Sequence, residues 1–341
     1  MSTIYDVAKL AGVSVGTVSR YLNGSGYVSQ RARQRIQAAI EQLGFVPSGV
    51  ARSLSTKKTG LIGFVVSDLA NPFTAEVARG LQDHADAYGY NVIICNTDGQ
   101  DDRTLRMLRA LREHEVEGLV ITPPETPVIQ AELVRMRRSG VPMVLIGMRL
   151  PGEPVDRVTT DTYSGAVSAV RFLLDLGHRR IGLIGGSTVL RIALGRRQGY
   201  IDALRAAGID PDPVMMTEVP LDREGGMEAA RQLLDLPHPP TAIFSVNDAA
   251  ALGAIQEAFR RGLSVPEDLS VVGFDDIALA AHSHPPLTTV AQPKQLMGRE
   301  AIDLLLARIQ GTSSLPAVEI RLPCELVVRG TTSQYRGEVV D

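Results

Sequence analysis

Apolar residues recur at helical spacing over the first 43 positions, and from Leu61 they change to short runs rich in Val and Ile. In the first stretch Ile4, Val7, Ala8, Leu10 and Ala11 predict one face of a helix. Thr3 is placed to cap it, with Asp6 completing a capping-box-like pair and Gly12 ending it. Ser14 can cap a second helix, with Val18, Tyr21 and Leu22 turned inward and Val15, Gly16, Thr17, Ser19 and Arg20 turned out. Ser29 opens a third over 30–43, where Ala32, Ile36, Ala39, Ile40 and Leu43 repeat, and Gly44 stops it. After Pro47 comes a shorter helical pattern, SGVARSL, and then a polar, basic linker from Ser55 to Gly60. Two short helices joined by a tight turn within 3–24 read as a helix-turn-helix. Small and hydroxyl-bearing outward residues followed by one Arg suit a helix lying in a DNA major groove. A packed helical hairpin without a ligand is the plainer alternative.

The second pattern has runs beginning near Leu61, Asn91, Gly118 and Met143, and again near Ile181, Val214, Ala242 and Ser270, each followed by an amphipathic helix. That alternation predicts βαβ units and parallel sheet. The second set follows the first at offsets of 120 to 127 residues, which predicts two similar doubly wound lobes although no residue-level repeat is visible. Strand ends in two facing lobes would enclose a cleft. The expected fold class is therefore α/β, with an all-α head followed by two doubly wound lobes.

Composition sharpens the division. A chain of 341 residues predicts two or three domains. The net charge of −3 hides an asymmetry: residues 1–60 carry eight Lys and Arg against Asp6 and Glu41, a net of +6, which leaves −9 for the rest. A basic head on an acidic body fits a nucleic-acid-binding head. The two cysteines, Cys95 and Cys324, argue against a disulfide framework or a thiolate zinc site. With no signal-like start and no apolar run long enough to span a bilayer, a cytoplasmic location is expected.

Several motif matches fail on context. Gly12 to Gly16 spells G-x-S-x-G, but a nucleophile elbow follows a strand and this follows a helix. His282 and His284 have no evident third metal ligand nearby. Gly185 and Gly186 lack the rest of a dinucleotide fingerprint. No catalytic residue, metal or cofactor is expected.

In order and spacing, IYDVAKLAGVSVGTVSRYLNG from Ile4, ARSL from Ala51, IGFVVSDLANPF from Ile62, LGHRRIGLIGG from Leu176, AIFSVNDAAALGAI from Ala242, VPEDLSVVGFDD from Val265 and PPLTTVAQP from Pro285 resemble the lactose-repressor and galactose-repressor family of bacterial transcription regulators. The resemblance implies a DNA-binding head over 1–46 and a hinge helix with linker over 47–59. It further implies a core like a periplasmic sugar-binding protein, crossed three times by the chain. One subdomain would hold 60–159 plus 291–321, the other 160–290 plus 322–341.

By the same resemblance Val15 and Gly16 stand at base-choosing positions and Arg20 reaches a guanine edge. Thr3, Tyr5, Ser14, Thr17, Ser19, Asn23, Tyr27 and Ser29 grip phosphates. Arg is the natural bidentate donor to guanine, worth about 1–3 kcal/mol of discrimination, whereas Val15 offers only apolar contact and Gly16 none. Phosphate contacts set register rather than sequence. A hinge helix of about eight residues cannot hold itself in water, so it should order on DNA beside its twin. There Ala51 permits close approach and Leu54 wedges into a base step. Ser48 departs from the Asn many relatives carry.

In the cleft, Asn71, Phe73, Arg196, Asn247 and Asp275 are carried over, with Leu221 where several relatives stack an aromatic. Gly147 stands where several place an Asp. The set suits a polyol: hydroxyl-accepting carboxylate, donating guanidinium and amide, and an apolar face for C–H groups. For Asp275 a capping or salt-bridge role, and for Arg196 a surface ion pair, are the plainer alternatives; Asp161 and Asp248 are weaker candidates. The resemblance implies a homodimer that binds a pseudopalindromic, double-stranded operator, with a mono- or disaccharide or a derivative as effector, coupled to DNA through lobe rotation. A tail without leucine heptads favours a dimer over a tetramer. A sugar-transport protein and an enzyme on the same scaffold are the competing classes. The basic head opposes the first and the missing catalytic constellation the second.

Overall fold

Three short helices open the chain, and each is set by its cap. The structure, a computed structural model, describes residues 2–24, 26–45, 59–122, 126–186, 191–312 and 316–337. It forms two compact units, Met1–Leu61 with Glu115–Glu117, and Ile62–His114 with Gly118–Asp341.

In the first unit the helices are α1 (Ile4–Ala11), α2 (Val15–Asn23) and α3 (Gln30–Leu43). The Thr3 hydroxyl accepts from the Asp6 N–H, and the Asp6 carboxylate accepts from the Thr3 N–H at 2.8 Å, completing the capping box. The Thr3 hydroxyl also donates to the Asp6 carboxylate at 2.7 Å, and this bond first, then that from the Thr3 N–H, holds the Asp6 carboxyl below its ordinary range. Gly12 ends α1 at φ 61°, a left-handed conformation that costs glycine little. Val7, Ala8, Ala11, Val18, Val28, Ala32, Ile36 and Ala39 form the buried centre. Leu10 departs from the expected apolar face and is 46% exposed. Leu10 is roughly 200° around the helix from Ala8 and 100° from Ala11, which leaves it at the edge of the face they bury.

In the second unit β1 (Leu61–Val66), β2 (Asn91–Asn96), β3 (Gly118–Thr122), β4 (Met143–Ile146) and β5 (Asp156–Thr160) alternate with α4 (Pro72–Ala87), α5 (Asp101–Glu113) and α6 (Pro127–Arg138). After α7 (Thr162–Asp175) a second set follows: β6 (Ile181–Gly185), α8 (Arg191–Ala206), β7 (Met216–Glu218), α9 (Arg223–Leu234), β8 (Ala242–Ser245), α10 (Asp248–Arg260) and β9 (Ser270–Val272). The chain ends through α11 (Ala278–His282), β10 (Thr289–Ala291), α12 (Lys294–Ile309), β11 (Glu319–Leu322) and β12 (Glu325–Val327). One sheet has the order β11-β5-β4-β3-β1-β2, the other β7-β6-β8-β9, and β10 pairs with β12. Every pairing described within the two larger sheets is parallel, while β10 and β12 run antiparallel.

The run expected near Val214 begins as a strand only at Met216, because Asp212 caps a single 3-10 turn over Pro213–Met215. The late strand β11 joins the first sheet beside β5, far from it in sequence. Asp156, at the start of β5, fixes that return: its carboxylate accepts from Arg308 of α12 at 2.6 and 2.8 Å and from the Val318 N–H at 2.8 Å. Glycines bring helices together where no side chain would fit. A Cβ on Gly298 of α12 would lie 2.4 Å from the Val77 carbonyl oxygen of α4, and one on Gly226 of α9 would lie 2.0 Å from that of Ala250 in α10.

Candidate functional site

In the head, three of the eight residues expected to grip phosphate, Thr3, Ser14 and Ser29, start helices. Ser14 caps α2, accepting from the Thr17 N–H at 3.2 Å with the two hydroxyls 2.8 Å apart, and Ser29 caps α3. Thr3 does the same for α1. Helix starts carry unsatisfied N–H groups and positive dipole ends, which attract phosphate. Tyr5 and Tyr27 are 70% and 86% exposed. Gly16 and Arg20 are exposed, while Thr17 and Ser19 are half-buried. Arg20 is tethered through Nε to the Gly16 carbonyl at 3.2 Å, which fixes the stem and leaves the terminal amino groups as donors. Val15 is half-buried against the head's core rather than fully outward. Asn23 is the last residue of α2. Ala51 and Leu54, with the whole hinge pattern, lie outside the described residues.

In the second unit the strands' C-terminal ends and the turns beyond them line a cavity of about 570 Å³, in the size range of small-molecule sites. The five carried-over residues, Asn71, Phe73, Arg196, Asn247 and Asp275, line it, and so does Leu221. Asn71, Asp161 and Asn247 are the N-caps of α4, α7 and α10, accepting from the N–H groups of Phe73, Ser164 and Ala250. Asn247 is further fixed by donating to the Leu221 carbonyl at 2.8 Å. Capping and lining are thus combined in the same side chains.

The centre of one wall is Asp275. Arg196 donates to Asp275 Oδ1 at 3.1 Å, and Gln292 donates to the same oxygen at 2.6 Å. Among the described residues Oδ2 is then the oxygen left to accept from a bound hydroxyl. Burial pushes the Asp275 carboxyl up, opposed by Arg196. Its backbone is at φ 109° and that of Asp276 at φ 54°, a strained turn held from behind by the Lys294 ammonium, which donates to both carbonyl oxygens at 2.8 and 2.6 Å. Arg196 also donates to the Val246 carbonyl and lies 3.8 Å over the Phe274 ring. Its Nε is buried with no acceptor among the described residues. An unmet buried donor costs about 1–3 kcal/mol. The ion pair is therefore an internal one, not the surface pair that was the plainer alternative.

Asp248 does not line the cavity. It lies fully buried behind it, accepting from the Thr289 hydroxyl and from the Ile277 N–H at 2.8 Å. Burial, with Asp275 nearby, pushes its carboxyl up to about 8. Gln292 was missed in the sequence, although it sits inside the PPLTTVAQP motif. Arg149, Arg157 and Arg321 also line the cavity and carried no local signal, because a lone Arg in a strand or turn reads as surface. Among the described residues no cluster of His, Cys, Asp and Glu could hold a metal ion, and no helix is long and apolar enough to cross a membrane.

A capped helix-turn-helix and a two-lobed pocket in one chain define a DNA-binding regulator that responds to a small molecule. The family model described as "Bacterial regulatory proteins, lacI family" matches residues 3–48, and "Periplasmic binding protein-like domain" matches 170–332. The chain is 37% identical over 331 residues to the HTH-type transcriptional repressor CytR of Escherichia coli (strain K12), covering 97% of this chain and 96% of that one. It is also 37% identical over 332 residues to the ribose operon repressor of the same strain, covering 97% and 100%. Among solved structures, the lac repressor dimer bound to operator and the anti-inducer ONPF matches with a TM-score of 0.88 at 31% identity, covering 97% of this chain and 99% of that one. The chain belongs to the lacI family of bacterial regulatory proteins.

Proposed function

We propose that this protein is a homodimeric transcription repressor whose heads bind a pseudopalindromic operator and whose cleft binds a sugar or sugar derivative that changes operator affinity. It acts on nucleoid DNA in the bacterial cytoplasm and catalyses no reaction. The observation that carries the reading is the Arg196–Asp275–Gln292 cluster in the cavity wall, donors and acceptor converging as a polyol requires. Asn71, Asn247, Phe73 and Leu221 complete the pocket, with Phe73 against sugar C–H groups.

On the DNA side, Arg20 reads guanine, with Val15 and Gly16 beside it. Thr3, Tyr5, Ser14, Thr17, Ser19, Asn23, Tyr27 and Ser29 contact phosphates, and Ala51 and Leu54 act at the minor groove. The relatives named as repressors, and the operator-bound lac repressor dimer, support this reading. Sequence selection from random duplexes should return a pseudopalindrome. A thermal-shift screen of mono- and disaccharides should then yield a ligand that alters operator affinity by fluorescence anisotropy. A ligand that binds the core and leaves operator affinity unchanged sinks the coupling. Leu54→Ala should weaken operator binding without changing ligand binding measured by calorimetry.

A further inference from the structure

The turn that carries Asp275 belongs to one sheet and is held from the layer of the other. Asp275 and Asp276 follow β9 of the four-stranded sheet. Lys294 instead opens α12, whose Met297, Ala301, Ile302 and Leu305 pack with Ile62, Val120, Val144 and Val158 of the six-stranded one. The Lys294 side chain is 6% exposed, and its ammonium donates to the Asp275 and Asp276 carbonyl oxygens at 2.8 and 2.6 Å. It is also ion-paired, at 3.6 Å, with Glu76 of α4. One buried cation therefore ties the turn after β9 to both α12 and α4.

Burial gives that tie weight. Taking an ammonium out of water is costly, and a neutral stem of similar length would fill the space without that cost. What the charge adds is a grip on carbonyl oxygens of two successive residues at positive φ, 109° and 54°, a backbone state that residues with side chains hold only when their surroundings enforce it. Gln292, two residues earlier, fixes the Asp275 side chain through Oδ1, while Lys294 fixes its main chain. The helices behind Lys294 are close-packed. A Cβ on Gly80 of α4 would lie 2.2 Å from the Gln295 carbonyl oxygen of α12, so their backbones touch near the Lys294–Glu76 pair. Asn71, Phe73 and Val77, at the start of α4, line the same cavity as Asp275, whereas Lys294 does not line it.

Resting on the reading of this cavity as the effector site, we propose that Lys294 is a positioning residue that holds the Asp275–Asp276 turn for the effector and passes effector binding to α12 and α4. It touches no effector itself. A ligand shifts a conformational equilibrium only through contacts that differ between the two states, and Lys294 supplies a contact joining the two layers that the effector bridges.

The test is operator affinity by fluorescence anisotropy on the full chain, with and without saturating sugar, using the duplex returned by sequence selection. The probes are ribose, glucose, galactose and cellobiose, each carried forward when calorimetry shows that it binds. Coupled sites typically change each other's affinity by about 5- to 150-fold, and Lys294→Met, which keeps the stem and removes the charge, should shrink the sugar-induced change to under about twofold at sugar concentrations that saturate the variant. Lys294→Arg, which restores a cation with paired donors, should recover a change of about fivefold or more. A lysine with only a structural role would lower Tm and sugar affinity yet leave the saturated change intact, and that result overturns the proposal. If Lys294→Met does not fold, Glu76→Gln, which leaves the ammonium in place, should still reduce the change by about twofold, and an unreduced change there overturns the link to α4. Binding by no probe, or binding that leaves wild-type operator affinity unaltered, overturns the effector-site reading and this proposal with it. A wild-type change that survives in Lys294→Met overturns this proposal alone.

Discussion

The head and the cleft solve recognition in opposite ways. In the head, candidate contact residues lie within a short stretch from Thr3 to Ser29, and three of them, Thr3, Ser14 and Ser29, cap the helices they sit on. In the cleft, the wall is assembled from positions as distant as Asn71 and Arg321, brought together by strand order. The comparison teaches that a local site is built by helix starts, whereas a distributed one depends on sheets, crossovers and buried charge. Perturbing each should expose that difference.

The largest effect is expected at the charge centre. Asp275→Asn keeps the shape and removes the carboxylate facing Arg196, so effector affinity should fall about a hundredfold, on the order of 3 kcal/mol. Operator affinity without ligand should stay within about threefold on the same scale. Calorimetry with the screened ligand and anisotropy with operator measure the two; a parallel loss of both would erase the distinction between local and distributed sites.

Next is the pH dependence of the core. The folded-state pKa of Asp248 is raised from 3.8 to about 8, so between those values the native state holds more protons than the unfolded one. Stability is then greatest below the unfolded value and falls as pH rises through the folded one. Core Tm should decline between pH 5 and 8 by calorimetry, and Asp248→Asn should flatten the decline. A slope unchanged in that variant would assign the effect elsewhere.

A smaller effect, confined to one unit, is expected where α12 meets α4. Gly298→Ala adds a Cβ 2.4 Å from the Val77 carbonyl oxygen, and overpacking of this kind costs about 1–3 kcal/mol. Calorimetry should show the core transition lowered and the head transition unmoved. Smallest in total affinity is Arg20→Ala, which should remove about 1–3 kcal/mol of preference at one base pair in a base-substitution scan. A loss spread evenly over all sequences would make Arg20 a phosphate contact.

Legibility follows the same divide. Helix α3 runs over Gln30–Leu43 as its spacing predicts, and the two glycine stops read from the sequence, Gly12 and Gly44, are both left-handed. Seven of the eight strand starts read from apolar runs coincide with observed first residues, the exception being the late β7. These features depend on neighbours within a turn or two, so sequence carries them. The cleft residues were reached through motif resemblance; residue chemistry alone would have left Arg196 as a surface ion pair. Gln292, Arg149, Arg157 and Arg321 were passed over because each becomes notable only beside cavity residues distant in sequence.

By itself, then, the sequence determined the capped three-helix head, the alternation that makes two doubly wound lobes, and the split between a basic head and an acidic body. Those follow from local hydrogen bonding, from period and from composition. The tertiary structure decided that Asp248 is a buried support that does not line the cavity, that Asp275 is shared by Arg196 and Gln292, and that Arg157 of β5 pairs with Glu319 of β11. Burial and charge pairing are properties of the fold, since a side chain's solvation and partners are set by what the chain folds against it.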